Sequence, residues 1–197
     1  MAHYRLKTPL SESDVRQLRA GDTVTIDGHI FGIRDATQIA IFDRGRKPEV
    51  DLTGAVLLHV APNVKKVGEG KYESVCVGTT TSTRMNRFTE GLLRDYGVRA
   101  ITGKGGLYQD SVDALQKYGG VYLAIVGGAA SVETLQVEEI EEVYYEDLMP
   151  ECLWKFRVKD FGPLVVGIDS HGHNLYADVK ARVKDNLKKA YKALGIE

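Results

Sequence analysis

The chain has 197 residues, 43% hydrophobic and 27% charged, with 26 basic residues set against 27 acidic ones for a net charge of −1. That length allows one domain with a real core, residues 1–197, and is short for two. The even charge balance excludes a global field that draws the protein to nucleic acid or a membrane surface, so any anion specificity must come from a local arrangement of cations.

The opening MAHYRLKTPLSESD has no apolar run of the signal-peptide kind, and the longest apolar stretches, such as residues 55–60, are of strand length. Cys76 and Cys152 stand far apart, without the density of a disulfide scaffold or the close spacing of a metal or cluster site. The expected compartment is therefore the reducing cytoplasm, and no metal ligands are assigned in this chain.

Residues 11–19 read as a short helix capped by Ser11 or Ser13 and followed by Gly21. DTVTIDGHIFGI alternates apolar and polar residues and reads as two short strands turning at Asp27-Gly28. Residues 34–43 read as helical, GAVLLHVAP as a buried strand closed by Pro62, and GKYESVCVG as another strand. A βαβ rhythm follows: a helix over 82–96 with Met85, Phe88 and Leu92 on one face, a strand over 98–102, a helix over 111–118 and a strand over 121–126. VEEIEEVYYEDL, LWKFRV and PLVVGIDS are β-like, and the C-terminus is an amphipathic helix with Val179, Val183, Leu187, Tyr191 and Leu194 at helical spacing. The expectation is an α/β domain with a largely parallel central sheet and flanking β-structure.

Three segments at strand ends carry candidate chemistry. In IFGIRDATQ, Arg34 leaves a strand and opens a helix. In VGTTTSTRM, a strand runs into Gly78 and a series of hydroxyl residues before Arg84. Small hydroxyl residues cap helices and leave backbone N–H groups pointing outward, an arrangement that favours an anion. In ITGKGGL, Lys104 stands among glycines that let the backbone approach a ligand closely. GKGG is not a P-loop, because Gly105 stands where Ser or Thr is required. Loops at the carboxyl ends of strands converge in α/β sheets, so Arg34, Arg84 and Lys104 are expected near each other, and three cations suit an acid with two carboxylates. Taken singly, each has a bland reading: a surface arginine, a helix cap, a turn lysine. Gly127-Gly128-Ala129-Ala130 reads equally as a ligand loop or close packing. His171 and His173 read as exposed histidines of a turn, and Trp154 and Tyr144-Tyr145 as core and strand residues.

In order along the chain, Arg34-Asp35-Ala36, the run from Gly78 through Thr79, Thr80, Thr81, Ser82, Thr83 and Arg84 to Met85, and Gly103-Lys104-Gly105-Gly106 resemble the β-type subunit of class I fumarate hydratases and L-tartrate dehydratases. Gly127-Gly128-Ala129-Ala130, Glu151-Cys152-Leu153-Trp154 and residues 169–176 support the resemblance, which spans about residues 8–176. It implies the swivelling β/β/α fold and a hydro-lyase that hydrates fumarate or dehydrates tartrate. It also implies a partner: a cluster-bearing α-type subunit whose four-iron, four-sulfur cluster activates the departing hydroxide, with no cofactor held by this chain. By the motif match, Arg34, Arg84 and Lys104 are substrate ligands and Thr80 takes the position of the catalytic base. A free alcohol is a very weak base, so Thr80 needs a neighbour, expected as a carboxylate on the partner, that holds it partly ionised. Thr79 departs from the family pattern where proline is usual, Gln38 where histidine is frequent, and His59-Val60-Ala61-Pro62 where tyrosine and glycine precede the proline. The alternative class is a non-catalytic organic-anion-binding or regulatory module.

Overall fold

The computed structural model describes residues 1–126 and 128–196. Strand β1 (His3–Lys7) leads to helix α1 (Glu12–Arg16), β2 (Thr23–Ile33), α2 (Asp35–Phe42), β3 (Val56–His59), β4 (Asn63–Gly68) and β5 (Lys71–Cys76). A 3-10 turn over Ser82–Phe88 runs into α3 (Thr89–Tyr96), then β6 (Ala100–Gly103), α4 (Gln109–Tyr118) and β7 (Val121–Ala124). A second 3-10 segment (Gly128–Gln136) precedes β8 (Val137–Tyr144), β9 (Leu153–Ile168) and α5 (Leu175–Ala193). Ser11 caps α1 in a reciprocal box with Asp14, the local chemistry expected from SESD. Among the described residues, no helix is long and apolar enough to cross a membrane.

The main sheet runs β1-β2-β3-β6-β7-β9-β8, and β9 returns to pair with β2, so β2, β3, β6, β7 and β9 close into a barrel. The pairs β1–β2, β2–β3, β3–β6 and β6–β7 are parallel; β7–β9, β2–β9 and β8–β9 are antiparallel. The sheet is therefore mixed and closed, where the sequence pattern suggested a largely parallel one. The cause is β9. LWKFRV and PLVVGIDS, read as separate segments, form one 16-residue strand long enough to pair with β8, β2 and β7 along its length. Closing pairs β2 with β9 and leaves β1 and β8 as the edge strands of this sheet.

Two other expectations change. Asp27-Gly28 is not a turn, because β2 continues through it while paired with β1 on one side and β9 on the other. Gly28 instead takes a left-handed φ of 106° at a register shift, and Thr8 occupies the space a side chain there would need. The helix expected over 82–96 is split, its first half wound as the 3-10 turn. That half is tied down at both ends: the Ser82 N–H donates to the Lys104 carbonyl at 2.8 Å, and Asn86 bonds to Asp110, to the Tyr108 N–H and to Ser111.

Strand alternation separates two cores. Val24, Ile26, Ile30, Val56, Leu58, Ala100, Val121, Leu123, Trp154 and Phe156 fill the barrel. Ile33, Leu57, Ile101 and Tyr122 face outward and meet Ile41, Met85, Phe88, Leu92, Val112 and Leu115 from the covering helices. Trp154 is fully buried and donates from its indole N–H to the Pro150 carbonyl at 3.0 Å.

Candidate functional site

Strands β2, β3 and β6 lie side by side and parallel, so their carboxyl ends open onto one rim. Arg34 stands at the end of β2 as the N-terminal residue before α2. At the end of β3, Val60 bridges to Thr79, and the His59 carbonyl accepts from the Thr80 N–H at 2.8 Å. At the end of β6, Lys104 forms a parallel bridge with Thr81, and its N–H donates to the Thr80 carbonyl at 3.4 Å. The rim thus brings the backbones of Thr80 and Lys104 together directly.

Side chains extend this arrangement. Arg84 donates to both oxygens of Asp35, Nη2 to Oδ2 at 2.9 Å and Nε to Oδ1 at 3.3 Å, and Nη2 also donates to Thr80 Oγ1 at 3.2 Å. Arg34 Nε lies 3.3 Å from Asp35 Oδ2 and 3.3 Å from Glu151 Oε1. Asp35 therefore links the two arginines, with the Thr80 hydroxyl at the far side of Arg84. The Arg84 guanidinium holds the Asp35 carboxyl below the usual carboxylate range against the opposing pull of burial, and Asp35 in turn raises Arg84. Lys104 is half-buried and makes no ion pair with a described residue. Glu151 uses its other oxygen to accept the Ala36 N–H at 2.7 Å, and its carbonyl accepts the Thr37 hydroxyl. It thereby supplies the cap that Arg34 lacks at the start of α2. The structural roles of Asp35 and Glu151 were not read from the sequence. Asp35 is the sequence neighbour of Arg34, but nothing local to residue 151 says that it folds back onto α2.

Beneath the rim lies a buried polar group. His59 is 1% exposed, and its Nδ1 lies 2.9 Å from Ser82 Oγ, to which the Tyr122 hydroxyl donates at 3.0 Å. Burial pushes the His59 imidazole down to about 4, so it is neutral at physiological pH. Gly103 makes room for the contact, since a Cβ there would fall on Ser82 Oγ.

Gly127 of Gly127-Gly128-Ala129-Ala130 lies outside the described residues. His171 Nε2 meets the Arg16 carbonyl at 2.8 Å and His173 pairs with Asp178 at 2.6 Å, so both rings are engaged locally. Both cysteines are free; Cys152 is fully buried and its thiol is pushed up to about 11, which keeps it protonated. An iron–sulfur cluster needs several thiolates. The residues of this chain do not fit one, and among the described residues no group of three or more His, Cys, Asp or Glu is arranged to hold a metal. A groove of about 540 Å³ between β5 and β8, lined in part by Glu73, Glu138, Glu139 and Glu141, shares no residue with the rim.

The fold defines an α/β protein built on a closed mixed barrel, with a cationic rim at the carboxyl ends of its parallel strands. Residues 1–179 match the family model described as Fumarase C-terminus, and the chain belongs to that family. It is 40% identical over 176 residues to the L(+)-tartrate dehydratase subunit beta of Escherichia coli (strain K12), covering 89% of this chain and 87% of the relative. It is 36% identical over 183 residues to a putative L(+)-tartrate dehydratase subunit beta of Methanocaldococcus jannaschii, covering 90% and 93%. A putative fumarate hydratase class I of Geobacillus stearothermophilus is 38% identical over 185 residues, which is 93% of this chain but 35% of that longer protein.

Proposed function

We propose that this chain is the β-type subunit of a hydro-lyase that hydrates fumarate to malate or dehydrates tartrate, active with an α-type subunit that carries a four-iron, four-sulfur cluster. The observation that carries the reading is the match to tartrate dehydratase β subunits along nearly their whole length. The barrel with its outer helices and the separate β4–β5 hairpin is compatible with the swivelling β/β/α type. The two unpaired cysteines suit a reducing cytoplasm.

In this reading Arg34, Arg84 and Lys104 bind the carboxylates of the substrate. The two arginines bring planar, charge-assisted hydrogen bonds, and Lys104 a point charge. Asp35 keeps Arg84 aimed before substrate arrives. Thr80 is the candidate base that takes the proton from the carbon next to the one losing hydroxide. Its hydroxyl already accepts from Arg84, and a cation at that distance favours the ionised alcohol that proton transfer needs. Departure of hydroxide is assigned to the partner, since this chain's residues do not fit the cluster.

The test is anaerobic co-expression with an α-type subunit, followed by assay against fumarate, malate, both tartrates and related hydroxy-acids. Turnover of one of these by the complex, and of none by either subunit alone, is the expected result. A complex without hydro-lyase activity, or an isolated chain with it, overturns the proposal.

A further inference from the structure

The rim contains a histidine that the clamp does not use. Its environment is specific enough to assign its protonation. The Ser82 hydroxyl has two partners, His59 Nδ1 at 2.9 Å and Tyr122 Oη at 3.0 Å. A serine hydroxyl carries one proton. If Tyr122 donates to Ser82 and Ser82 donates to His59, both hydroxyl protons have an acceptor, the imidazole proton sits on Nε2, and that N–H is the one group of the three residues left without a partner. If His59 instead donated from Nδ1, Ser82 would receive two protons and have no acceptor for its own. The second arrangement strands both the Ser82 proton and the bare Nε2, and the first strands only the Nε2–H, so the first prevails. His59 Nε2 has no hydrogen-bond partner among the described residues, so the ring is held through Nδ1 and by packing.

His59 is tied to the rim twice. Its carbonyl accepts the Thr80 N–H at 2.8 Å and the Thr79 hydroxyl at 3.0 Å. Its ring holds Ser82, the first residue of the 3-10 turn that carries Arg84. Ser82 in turn donates its N–H to the Lys104 carbonyl. Thr80 is thus held by the His59 backbone, and the His59 ring reaches the turn that carries Arg84, and its join to Lys104, through Ser82. We propose that His59 is a positioning residue: a neutral, Nε2-protonated imidazole that accepts from Ser82 and so sets the turn that carries Arg84 and its join to Lys104. What is positioned rests on the clamp reading above; the hydrogen-bond chain does not.

The two parts are tested separately. Two-bond proton–nitrogen NMR on the isolated chain, labelled in histidine, should show His59 with a proton on Nε2 and an accepting Nδ1, unchanged across pH 6–8. A proton on Nδ1, or rapid tautomer exchange, overturns the assignment. In the reconstituted two-subunit enzyme, Ser82→Ala and His59→Phe should each lower kcat/KM by about tenfold or more, the usual effect of losing a buried hydrogen bond. The double variant should be little worse than either single one. His59→Asn, whose amide oxygen can replace Nδ1 as acceptor, should restore most of the loss, which a purely packing role would not produce. If His59→Phe fails to fold, Ser82→Ala, which removes the same hydrogen bond and keeps the imidazole, carries the test. Normal kcat/KM in Ser82→Ala, and in His59→Phe where it folds, in an enzyme that Arg84→Lys does impair, overturns the positioning role. If Arg84→Lys and Thr80→Val are also without effect, the clamp reading fails instead, and the NMR result stands by itself.

Discussion

Arg84 grips Asp35 with two nitrogens, Nη2 on Oδ2 at 2.9 Å and Nε on Oδ1 at 3.3 Å, while the same Nη2 reaches Thr80. The residues are 49 positions apart, and the fork between them joins the end of β2 to the turn after β5. Its side chains are partly exposed, so the pair contributes little to stability. Its value is geometric: the guanidinium plane is fixed before any substrate arrives.

Replacing Arg84 by Lys keeps the charge and removes that plane. The expected cost is that of a hydrogen bond to a charged group, about 1.5–3 kcal/mol, or roughly ten- to hundred-fold. In steady-state kinetics of the reconstituted enzyme it should appear mainly as a higher KM, because carboxylates are present in substrate and transition state alike. A kcat loss at constant KM would assign Arg84 to the chemical step.

Thr80→Val should act the other way. A base works in the transition state, so kcat should fall by about a hundredfold or more while KM stays within a few-fold. Near-normal kcat would leave Thr80 as a backbone element of the rim, held by His59 and Lys104.

The purified single chain should be colourless and free of stoichiometric iron, measured by metal analysis and visible absorbance. Cys152 is buried and protonated, and Cys76 cannot ligate a cluster by itself. Iron near about four atoms per chain would contradict this.

His59 links stability to pH. Its imidazole titrates at 6.5 when unfolded and at about 4 when buried. Between those values the unfolded chain binds the proton and the folded chain does not, so stability falls as pH drops from 6.5 to about 4. The full difference is roughly 3 kcal/mol by the usual conversion. Urea unfolding at pH 7.5 and pH 4.5 should show this loss in the wild type and a smaller one in His59→Asn. Equal losses in both would remove His59 from the titration.

Gly103→Ala should destabilise by about 1–3 kcal/mol, the ordinary cost of overpacking, because the new methyl falls on Ser82 Oγ. Thermal unfolding measures it, and an unchanged Tm would show that the Ser82 contact yields easily.

The residues proposed for the site stand out in the sequence because each sits in a locally distinctive segment. Arg34 between a strand and a helix, the hydroxyl run before Arg84, and Lys104 among glycines are each set by short-range rules of capping and backbone freedom. Their ordered combination carries the family. The α/β alternation, the Ser11 cap and the helices over 35–42 and 109–118 follow from periodicity and end signals for the same reason. Tertiary structure decided the rest. Closure of the sheet depends on β9 pairing with three strands, a long-range register that no local pattern encodes. Gly28 reads as a turn until β1 and β9 are seen to continue the ladder through it. Asp35, Glu151 and His59 acquire their partners from residues 49, 115 and 23 positions away in sequence. Capping and alternation act over a few residues, whereas hydrogen bonds and burial act through space, and only the folded chain brings those partners within reach.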